Sequence, residues 1–156
     1  MVENERKFLV KEMPNLAGVT FHEIEQGYIS FTPEVRIRKK GLEYFLTNKG
    51  EGDQIRSEIE SRIDKESYAN LMLLVQGNVI RKTRYEIELD FGVVAELDIY
   101  HGYLEGLVVV ETEFKSEEQL KRFVVPTWFG KEVTADKRYK NKWLARLKDV
   151  KEILEK

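Results

Sequence analysis

Residues 79–100 read VIRKTRYEIELDFGVVAELDIY, and this stretch decides the fold class. Charged and apolar side chains alternate along it, with Lys82 and Arg84 on one parity and Tyr85 on the other. Successive side chains of a β-strand point to opposite faces, so a period of two indicates strand rather than helix. A glycine interrupts the alternation and indicates a turn. The stretch therefore predicts an antiparallel hairpin with one apolar face and one charged face.

The same kind of alternation recurs in other short segments, which are separated by regularly spaced glycines and prolines. Short alternating segments between frequent turn residues favour hairpins and meanders over alternating strands and helices. The pattern therefore predicts a mainly β (α+β) fold with about eight strands, mostly antiparallel. The predicted strands are residues 2–10, 23–31, 34–40, 43–49, 54–63, 79–90, 93–100 and 107–114.

Three segments change to the period of a helix. Asp64 is placed to cap a helix over residues 65–76, and Ser116 begins a short helix that ends near Phe123. A third helix is predicted from residue 137 to the end of the chain. Its apolar stripe consists of Trp143, Leu147, Val150 and Leu154. About three helices, the last of them C-terminal, are therefore expected to flank the sheet.

Composition excludes several function classes. The chain has no cysteine, which rules out disulfides, thiolate metal sites and cysteine nucleophiles. Its 26 basic and 28 acidic residues leave a net charge of −2. No overall positive field is therefore expected to attract nucleic acid or an anionic membrane. We expect a single domain over residues 1–156, located in the cytoplasm, with neither of those partners.

Charge is nevertheless abundant, since 35% of the residues are charged against about 25% in a typical domain. One solvated face is the ordinary explanation for a charged row on a single strand. Like charges two residues apart recur on most strands, however, and this favours a concave surface filled by a charged ligand. We therefore predict a closed eight-stranded antiparallel barrel, or tunnel, with a charged lumen and apolar side chains facing outward. The rows are Glu3, Glu5 and Lys7; Arg36, Arg38 and Lys40; Arg56, Glu58, Glu60 and Arg62; Lys82, Arg84, Glu86 and Glu88; Glu96 and Asp98; Glu111 and Glu113.

Such a lumen suits a compact anion that carries several phosphate groups. Arginine offers a fork for phosphate oxygens and lysine a point charge. Carboxylates repel phosphate, but they can hold Mg²⁺ or Mn²⁺, which in turn binds phosphate oxygens. Phosphate-binding loop motifs are absent from the sequence. The basic candidates are Arg36, Arg38, Lys49, Lys82 and Arg84, and the acidic candidates are Glu3, Glu5, Glu111 and Glu113.

Residues 3–7 have the pattern Glu-x-Glu-x-Lys, and further matches follow in order along nearly the whole chain. They include VRIR at residues 35–38, KTRY at 82–85, ETE at 111–113 and VTADKRYKN at 133–141. In this ordered set the chain resembles the CYTH superfamily, the triphosphate tunnel metalloenzymes, and in particular their short bacterial tripolyphosphatases. The resemblance implies an eight-stranded tunnel that binds a triphosphate together with a divalent metal, the basic candidates contacting phosphate and the acidic ones the metal.

The resemblance also implies further roles. Lys7 would lie near the terminal phosphate and help to position or deprotonate the attacking water, with Glu5 and Glu113 as its catalytic partners. Arg138 would add a phosphate contact from the last helix. The supporting acidic positions, which would orient the basic side chains or hold a second metal, are Glu58, Glu60, Glu96 and Asp98.

The expected function is hydrolysis of inorganic tripolyphosphate to pyrophosphate and phosphate with Mg²⁺ or Mn²⁺. Three alternatives stay open. A class IV type adenylate cyclase would form cyclic AMP and pyrophosphate from ATP, a thiamine triphosphatase would hydrolyse thiamine triphosphate, and a non-enzymatic module would bind polyphosphate without turnover. The phosphate-binding residues recognise what these substrates share, so the sequence does not separate them. A homodimer is the expected assembly.

Overall fold

The computed structural model describes residues 5–49 and 58–154. Within them the chain is mainly β, as predicted, and each of the eight predicted strands is present. A ninth strand, β9, follows them. The strands are β1 (Glu5–Val10), β2 (Phe21–Phe31), β3 (Glu34–Lys40), β4 (Glu43–Lys49), β5 (Glu58–Ile63), β6 (Gln76–Glu88), β7 (Val94–Tyr100), β8 (Val108–Glu113) and β9 (Phe129–Glu132).

The nine strands form one antiparallel sheet in the order β5-β4-β3-β2-β6-β7-β8-β1-β9. The predicted closed barrel of eight strands differs from this arrangement, because over the described ranges no pairing joins the first and last strands of that order. β1 pairs with β8 on one side and with β9 on the other, so β9 takes the edge of β1 that a closing strand would need. The sheet is thus open in its hydrogen bonding.

The extra strand has little signal in the sequence. β9 has four residues, FGKE, too few to establish a period of two. Its glycine allows close packing, since a Cβ on Gly130 would lie only 3.2 Å from the backbone oxygen of Leu9 and 3.3 Å from the nitrogen of Lys11. A close approach of two backbones is a common reason for glycine in a strand.

Four α-helices are present in the described residues, against about three expected. They are α1 (Lys65–Met72), α2 (Glu117–Arg122), α3 (Asn141–Leu144) and α4 (Lys151–Leu154). The two predicted caps are confirmed: Asp64 accepts a hydrogen bond from the Ser67 backbone nitrogen at 2.7 Å, and Ser116 accepts one from that of Gln119 at 3.1 Å. None of these helices has the length and apolar character needed to cross a membrane.

The predicted continuous helix from residue 137 onward is wrong. A short 3-10 turn at residues 137–139 ends at Lys140, whose φ of −75° and ψ of 142° are extended, and α3 and α4 follow as separate single turns. The predicted apolar stripe is confirmed only in part: Leu147 and Val150 pack against the core, whereas Trp143 and Leu154 are 47% and 42% exposed. The residues of this segment that are buried instead are Tyr139, Leu144, Ala145 and Ile153.

Apolar side chains fill both faces of the sheet, which differs from the predicted outward-only core. Phe8, Leu97, Val110 and Phe129 form a cluster on the convex face. A second cluster joins strand residues of the opposite parity, such as Ile80, to the terminal segment. The members of the second cluster are Tyr28, Ile80, Tyr100, Leu104, Leu107, Val109, Val133, Tyr139, Leu144, Ala145 and Ile153. The terminal segment therefore fills part of the concave side and leaves the rest as a cavity.

Candidate active site

The concave face of the sheet encloses a cavity of about 760 Å³. Residues of β1 and of β4 both line it, although five strands separate these two in the sheet, so the sheet curls around the cavity. Among the described residues, ten basic side chains line it against five acidic ones, in a protein whose net charge is −2. The basic residues are Lys7, Arg36, Arg38, Lys49, Lys82, Arg84, Lys137, Lys140, Lys142 and Arg146, and the acidic ones are Glu5, Glu34, Glu96, Glu111 and Asp136.

On the β6–β7 side, Lys82, Arg84 and Asp98 form what we call the buried triad. Register places Arg84 opposite Asp98. The Arg84 Nε and Nη2 donate to the two Asp98 carboxylate oxygens at 2.8 and 3.0 Å, and the Lys82 Nζ lies 2.9 Å from Asp98 Oδ2. The Lys82 side chain is only 1% exposed. One carboxylate therefore fixes the positions of two cations at the cavity wall.

The triad has unusual proton affinities. Burial, together with the nearby Arg84 guanidinium, lowers the pKa of Lys82 to about 8 even though Asp98 favours its charged form. Burial also opposes ionisation of Asp98, but the charges of Lys82 and Arg84 outweigh it and hold the Asp98 pKa at about 2. A buried pair is stable only when each charge keeps its partner. Asp98 is thus ionised at neutral pH, and Lys82 loses its charge more easily than an ordinary lysine does.

On the opposite side, Glu34 links two cations of β3 and β4. The Arg36 Nη1 donates to Glu34 Oε2 at 3.0 Å, and the Lys49 Nζ lies 3.7 Å from the same oxygen. The Arg36 Nε is buried and has no hydrogen-bond partner in the described part of the chain. A buried donor without a partner is costly unless a ligand satisfies it.

The third cation of this side is Arg38. Its Nη2 lies 3.4 Å from Glu60 Oε2, and the same oxygen accepts a hydrogen bond from the Thr47 hydroxyl at 3.2 Å. Burial lowers the pKa of Arg38, with Arg36 and Arg84 adding repulsion and Glu60 opposing both. Positive charge is therefore crowded at this part of the wall.

The acidic part of the wall lies on β1, β8 and β7. Register places Glu5 opposite Glu113, Lys7 opposite Glu111, and Glu111 opposite Glu96. Burial raises the pKa of Glu111, and the carboxylates of Glu96 and Asp98 add to that effect while Lys7 opposes it. A cation added beside Glu111 would relieve this crowding of carboxylates.

The oxygen atoms of these carboxylates are suitable ligands for a hard divalent cation that also binds an anionic ligand. Among residues 5–49 and 58–154 no three carboxylates stand close enough to form a metal site by themselves. Mg²⁺ is usually held by one or two carboxylates together with phosphate oxygens and water rather than by a complete protein cage. Glu5, Glu96 and Glu111 supply oxygens of the type that Mg²⁺ and Mn²⁺ prefer. The donor set thus suits a metal that is completed by a phosphate-rich ligand.

Lys7 is tied to the terminal segment. Its Nζ donates a hydrogen bond to the backbone oxygen of Tyr139 at 3.1 Å. The Tyr139 hydroxyl in turn donates to the backbone oxygen of Ile153 at 3.2 Å. The position of the Lys7 ammonium in the cavity therefore depends on how the terminal segment packs.

The structure brings together nine of the predicted site residues at the cavity, namely Glu5, Lys7, Arg36, Arg38, Lys49, Lys82, Arg84, Glu96 and Glu111. It places five others outside the cavity lining: Glu58, Glu60, Asp98, Glu113 and Arg138. Asp98 and Glu60 lie next to cavity cations, as described above. Glu113 is exposed, and Arg138 is turned to Asp136, with its Nη2 2.7 Å from Asp136 Oδ2. Glu3 lies outside the described residues.

Sequence reasoning missed several lining residues. Glu34 has the same parity as Arg36 and Arg38 and could have been found by extending that row by one step. Four cations of the terminal segment were also missed, because a predicted continuous helix assigned that segment to packing. We call them the basic rim: Lys137, Lys140, Lys142 and Arg146. Their spacing follows neither a strand nor a helix period.

A curled antiparallel sheet around a cavity that has, among the described residues, twice as many basic as acidic side chains is typical of a β protein that binds polyanions. No model of a known protein family matches the chain. Individual proteins do. The chain is 46% identical to a protein of Nitrosomonas europaea named inorganic triphosphatase, over 93% of this chain and 97% of the relative. It is 38% identical to an inorganic triphosphatase of Acetivibrio thermocellus, over 92% of this chain and 93% of the relative.

Solved structures agree with these relatives. A crystal structure of an inorganic triphosphatase has a TM-score of 0.77 and 40% identity, and the match covers 96% of this chain and 97% of that one. A putative adenylyl cyclase of Hippeastrum, described as having a dominant triphosphatase activity, shares the fold at 16% identity, with a TM-score of 0.54 and coverage of 77% of this chain and 83% of that one. These similarities show that the chain belongs to the CYTH superfamily of triphosphate tunnel metalloenzymes. They confirm the resemblance that the sequence motifs predict. Enzymes of this superfamily generally depend on a divalent metal.

Proposed function

We propose that this chain is a metal-dependent triphosphatase whose substrate is inorganic tripolyphosphate. The observation that carries the proposal is the excess of basic side chains among the described residues, ten against five, around one cavity of a protein with a slight negative charge. A cleft lined mainly by one sign of charge attracts ligands of the opposite charge, which here favours a ligand with several negative charges. The naming of two relatives as inorganic triphosphatases supports the same substrate.

In this proposal the sheet wall binds the phosphates. Arg36, Arg38, Lys49, Lys82 and Arg84 contact phosphate oxygens, and Glu34 and Asp98 hold four of these cations in place. A phosphate oxygen would also satisfy the buried Arg36 Nε. Because the cations are fixed before the substrate arrives, little reorganisation is required during the reaction.

Glu5, Glu96 and Glu111 would hold the divalent cation together with oxygens of the substrate. Once bound, Mg²⁺ or Mn²⁺ would neutralise charge on the phosphates and acidify water. Of the predicted acidic residues, Glu113 lies at the exposed end of this row, so we assign the larger role to Glu111.

Hydrolysis then requires water to attack the terminal phosphorus in line with the bridging oxygen. The bond from that phosphorus to the bridging oxygen breaks, pyrophosphate leaves with the bridging oxygen, and the terminal phosphate takes the water oxygen. The two protons of the water pass to phosphate oxygens of the products or to solvent. Positioning and charge stabilisation account for most of the catalysis in such reactions. Lys7, fixed by the Tyr139 carbonyl, would orient the water near the terminal phosphate.

Product analysis tests the proposal. Purified protein is incubated with tripolyphosphate, ATP or thiamine triphosphate, each with Mg²⁺ and with Mn²⁺, and the products are followed by phosphorus NMR. We expect phosphate and pyrophosphate from tripolyphosphate, at a much higher rate than any product from the organic substrates. Cyclic AMP from ATP would instead identify a cyclase, and tight binding without turnover would identify a binding module.

A matched pair of variants tests the site. Hydrogen bonds to charged groups contribute about 1.5–3 kcal/mol, so Arg38→Ala should raise KM by about 10-fold to 100-fold. Arg62 belongs to the same row of the sheet, since Phe45 pairs with both arginines, but it is bound to Glu43 and does not line the cavity. Arg62→Ala should therefore leave KM within about 2-fold. Equal KM values for the two variants would contradict the assignment.

A further inference from the structure

The basic rim differs from the cavity cations of β3, β4 and β6, each of which forms an ion pair with a carboxylate, namely Arg36, Arg38, Lys49, Lys82 and Arg84. Among the described residues, none of its four members forms an ion pair. The nearby Asp136 carboxylate is bound to Arg138, with hydrogen bonds at 2.7 and 3.0 Å. The rim is therefore a source of uncompensated positive charge at one mouth of the cavity.

Arg146 is the one member of the rim whose side chain is held in place by rings. Its Cζ lies 4.3 Å from the centre of the Phe31 ring and 5.1 Å from that of Trp143. The Phe31 ring also stacks on the Tyr28 ring, with centres 5.2 Å apart, and Tyr28 lines the cavity. This stack connects Arg146 to the cavity wall. The Arg146 Nε donates to the backbone oxygen of Lys142 at 3.4 Å. A guanidinium that rests on aromatic faces can still use its terminal N–H groups, at the edge of the plane, to bind an anion.

The backbone that carries Arg146 is also fixed to the sheet. The Tyr103 hydroxyl donates to the backbone oxygen of Leu144 at 2.7 Å, and the Asn78 side-chain amide donates to that of Leu147 at 3.1 Å. The Asn78 backbone nitrogen donates to the oxygen of Ala145 at 2.7 Å. Three bonds thus hold the residues on both sides of Arg146, and a side chain that is already ordered loses little entropy on binding.

The position of this charge bears on which triphosphate the cavity selects. Inorganic tripolyphosphate has a terminal phosphate at each end, whereas an organic triphosphate has an ester at one end and therefore one ionisable oxygen fewer. Cations along the sheet wall act on the part that both substrates share. An extra cation at the mouth of the cavity acts on the end at which the two kinds of substrate differ. It favours tripolyphosphate, because that end carries more negative charge in tripolyphosphate than in an organic triphosphate.

We propose that Arg146 is a specificity-determining residue that binds the second terminal phosphate of inorganic tripolyphosphate and so disfavours organic triphosphates. The inference rests on the proposed function, because it assumes that a triphosphate is hydrolysed in this cavity. Phe31 and Trp143 serve it as positioning residues, since their rings hold the guanidinium.

The test compares kcat/KM for tripolyphosphate and for ATP, with one metal, in the parent protein and two variants. Arg146→Gln should lower the ratio of the two values about 10-fold, through a loss on tripolyphosphate and little change on ATP. Arg146→Lys keeps the charge but loses the fork and the stacking, so it should give an intermediate ratio.

Arg122→Gln is the matched control. Arg122 is an exposed arginine that also lies over an aromatic ring, 5.2 Å from the centre of Phe91, but it does not line the cavity. This variant should keep the ratio of the parent protein. An unchanged ratio in Arg146→Gln, or an equal loss on both substrates, would overturn the inference. If the parent protein fails to hydrolyse tripolyphosphate, the proposed function itself falls.

Discussion

The buried triad and the basic rim supply cations to the same cavity in opposite ways. In the triad, Lys82 is 1% exposed and Asp98 binds both cations. In the rim, Arg146 is exposed and no carboxylate among the described residues balances it. A buried charge that has a partner is held in position, but its desolvation costs a large free energy. An exposed charge has a small desolvation cost, but salt screens its interactions. We infer that the triad fixes geometry and the rim adjusts attraction and selectivity.

The largest effect is expected when the triad loses its carboxylate. Asp98→Asn leaves Lys82 without its anion and leaves Arg84 with only its longer contact to Glu96, at 3.5 Å. This should lower the free energy of unfolding by about 3–5 kcal/mol. Urea unfolding measures this change. Any variant that still folds should also show a much higher KM for tripolyphosphate, because Lys82 and Arg84 lose their fixed positions.

The control for this variant is Glu118→Gln. Glu118 pairs with Arg122 on the surface at 3.3 Å, and exposed pairs of this kind contribute at most about 1 kcal/mol. Unfolding energies that fall equally in the two variants would remove the distinction between buried and exposed pairs on which the comparison depends.

The next effect concerns the acidic part of the wall, where Glu111 lines the cavity and Glu113 does not. Glu111→Gln should raise the Mg²⁺ or Mn²⁺ concentration needed for half-maximal activity by about tenfold or more, since it removes a charged metal ligand. Glu113→Gln should raise it less. Titration of activity with each metal gives both values, and a larger effect of Glu113 would reverse our assignment.

A smaller effect is expected from pH. Lys82 is protonated below its pKa of about 8 and loses its charge as the pH rises through that value. Its attraction for an anion is therefore present at pH 7 and largely lost near pH 9.5. Calorimetry with tripolyphosphate in the absence of divalent metal measures this as the ratio of affinities between the parent protein and Lys82→Gln. The ratio should shrink several-fold over that range, and a constant ratio would mean that Lys82 does not titrate there.

The smallest effect is expected from salt. Lys140 and Lys142 are rim cations, and the Debye length falls from about 30 Å at 0.01 M salt to about 3 Å at 1 M. A Lys140→Gln, Lys142→Gln double variant should raise KM about 3-fold at low salt and hardly at all at high salt. A penalty that persists at high salt would indicate direct contacts like those of the triad.

Much of the fold could be predicted, because strand identity is a local property. The alternation around Arg36 and around Lys82 is visible in a few residues, and the structure has all eight predicted strands. The predictions that failed depend on distant contacts. β9 pairs with β1, where Gly130 allows a close approach of the two backbones. The terminal segment packs residues such as Tyr139 and Leu144 into the core on the concave side of the sheet.

In the site, too, some features follow from local sequence and others depend on distant contacts. Parity sorts the charged rows from the sequence alone, since side chains on one strand alternate by covalent geometry. Parity does not say how far along a row the cavity extends, and so it does not distinguish Glu111 from Glu113. The basic rim has no periodic signal at all.

The sequence by itself determined that strands would carry charged faces, that cysteine chemistry was excluded, and that a phosphate-rich anion with a divalent metal was the ligand to expect. Only the tertiary structure decided which charges meet. It buried Asp98 against Lys82 and Arg84, turned Arg138 away to Asp136, and brought Arg146 to the cavity between Phe31 and Trp143. The physical reason is that the alternation of side chains is set by each residue's own backbone geometry. The contacts between these charged groups depend instead on the register and curl of nine strands, and on a terminal segment that packs against strands distant from it in sequence.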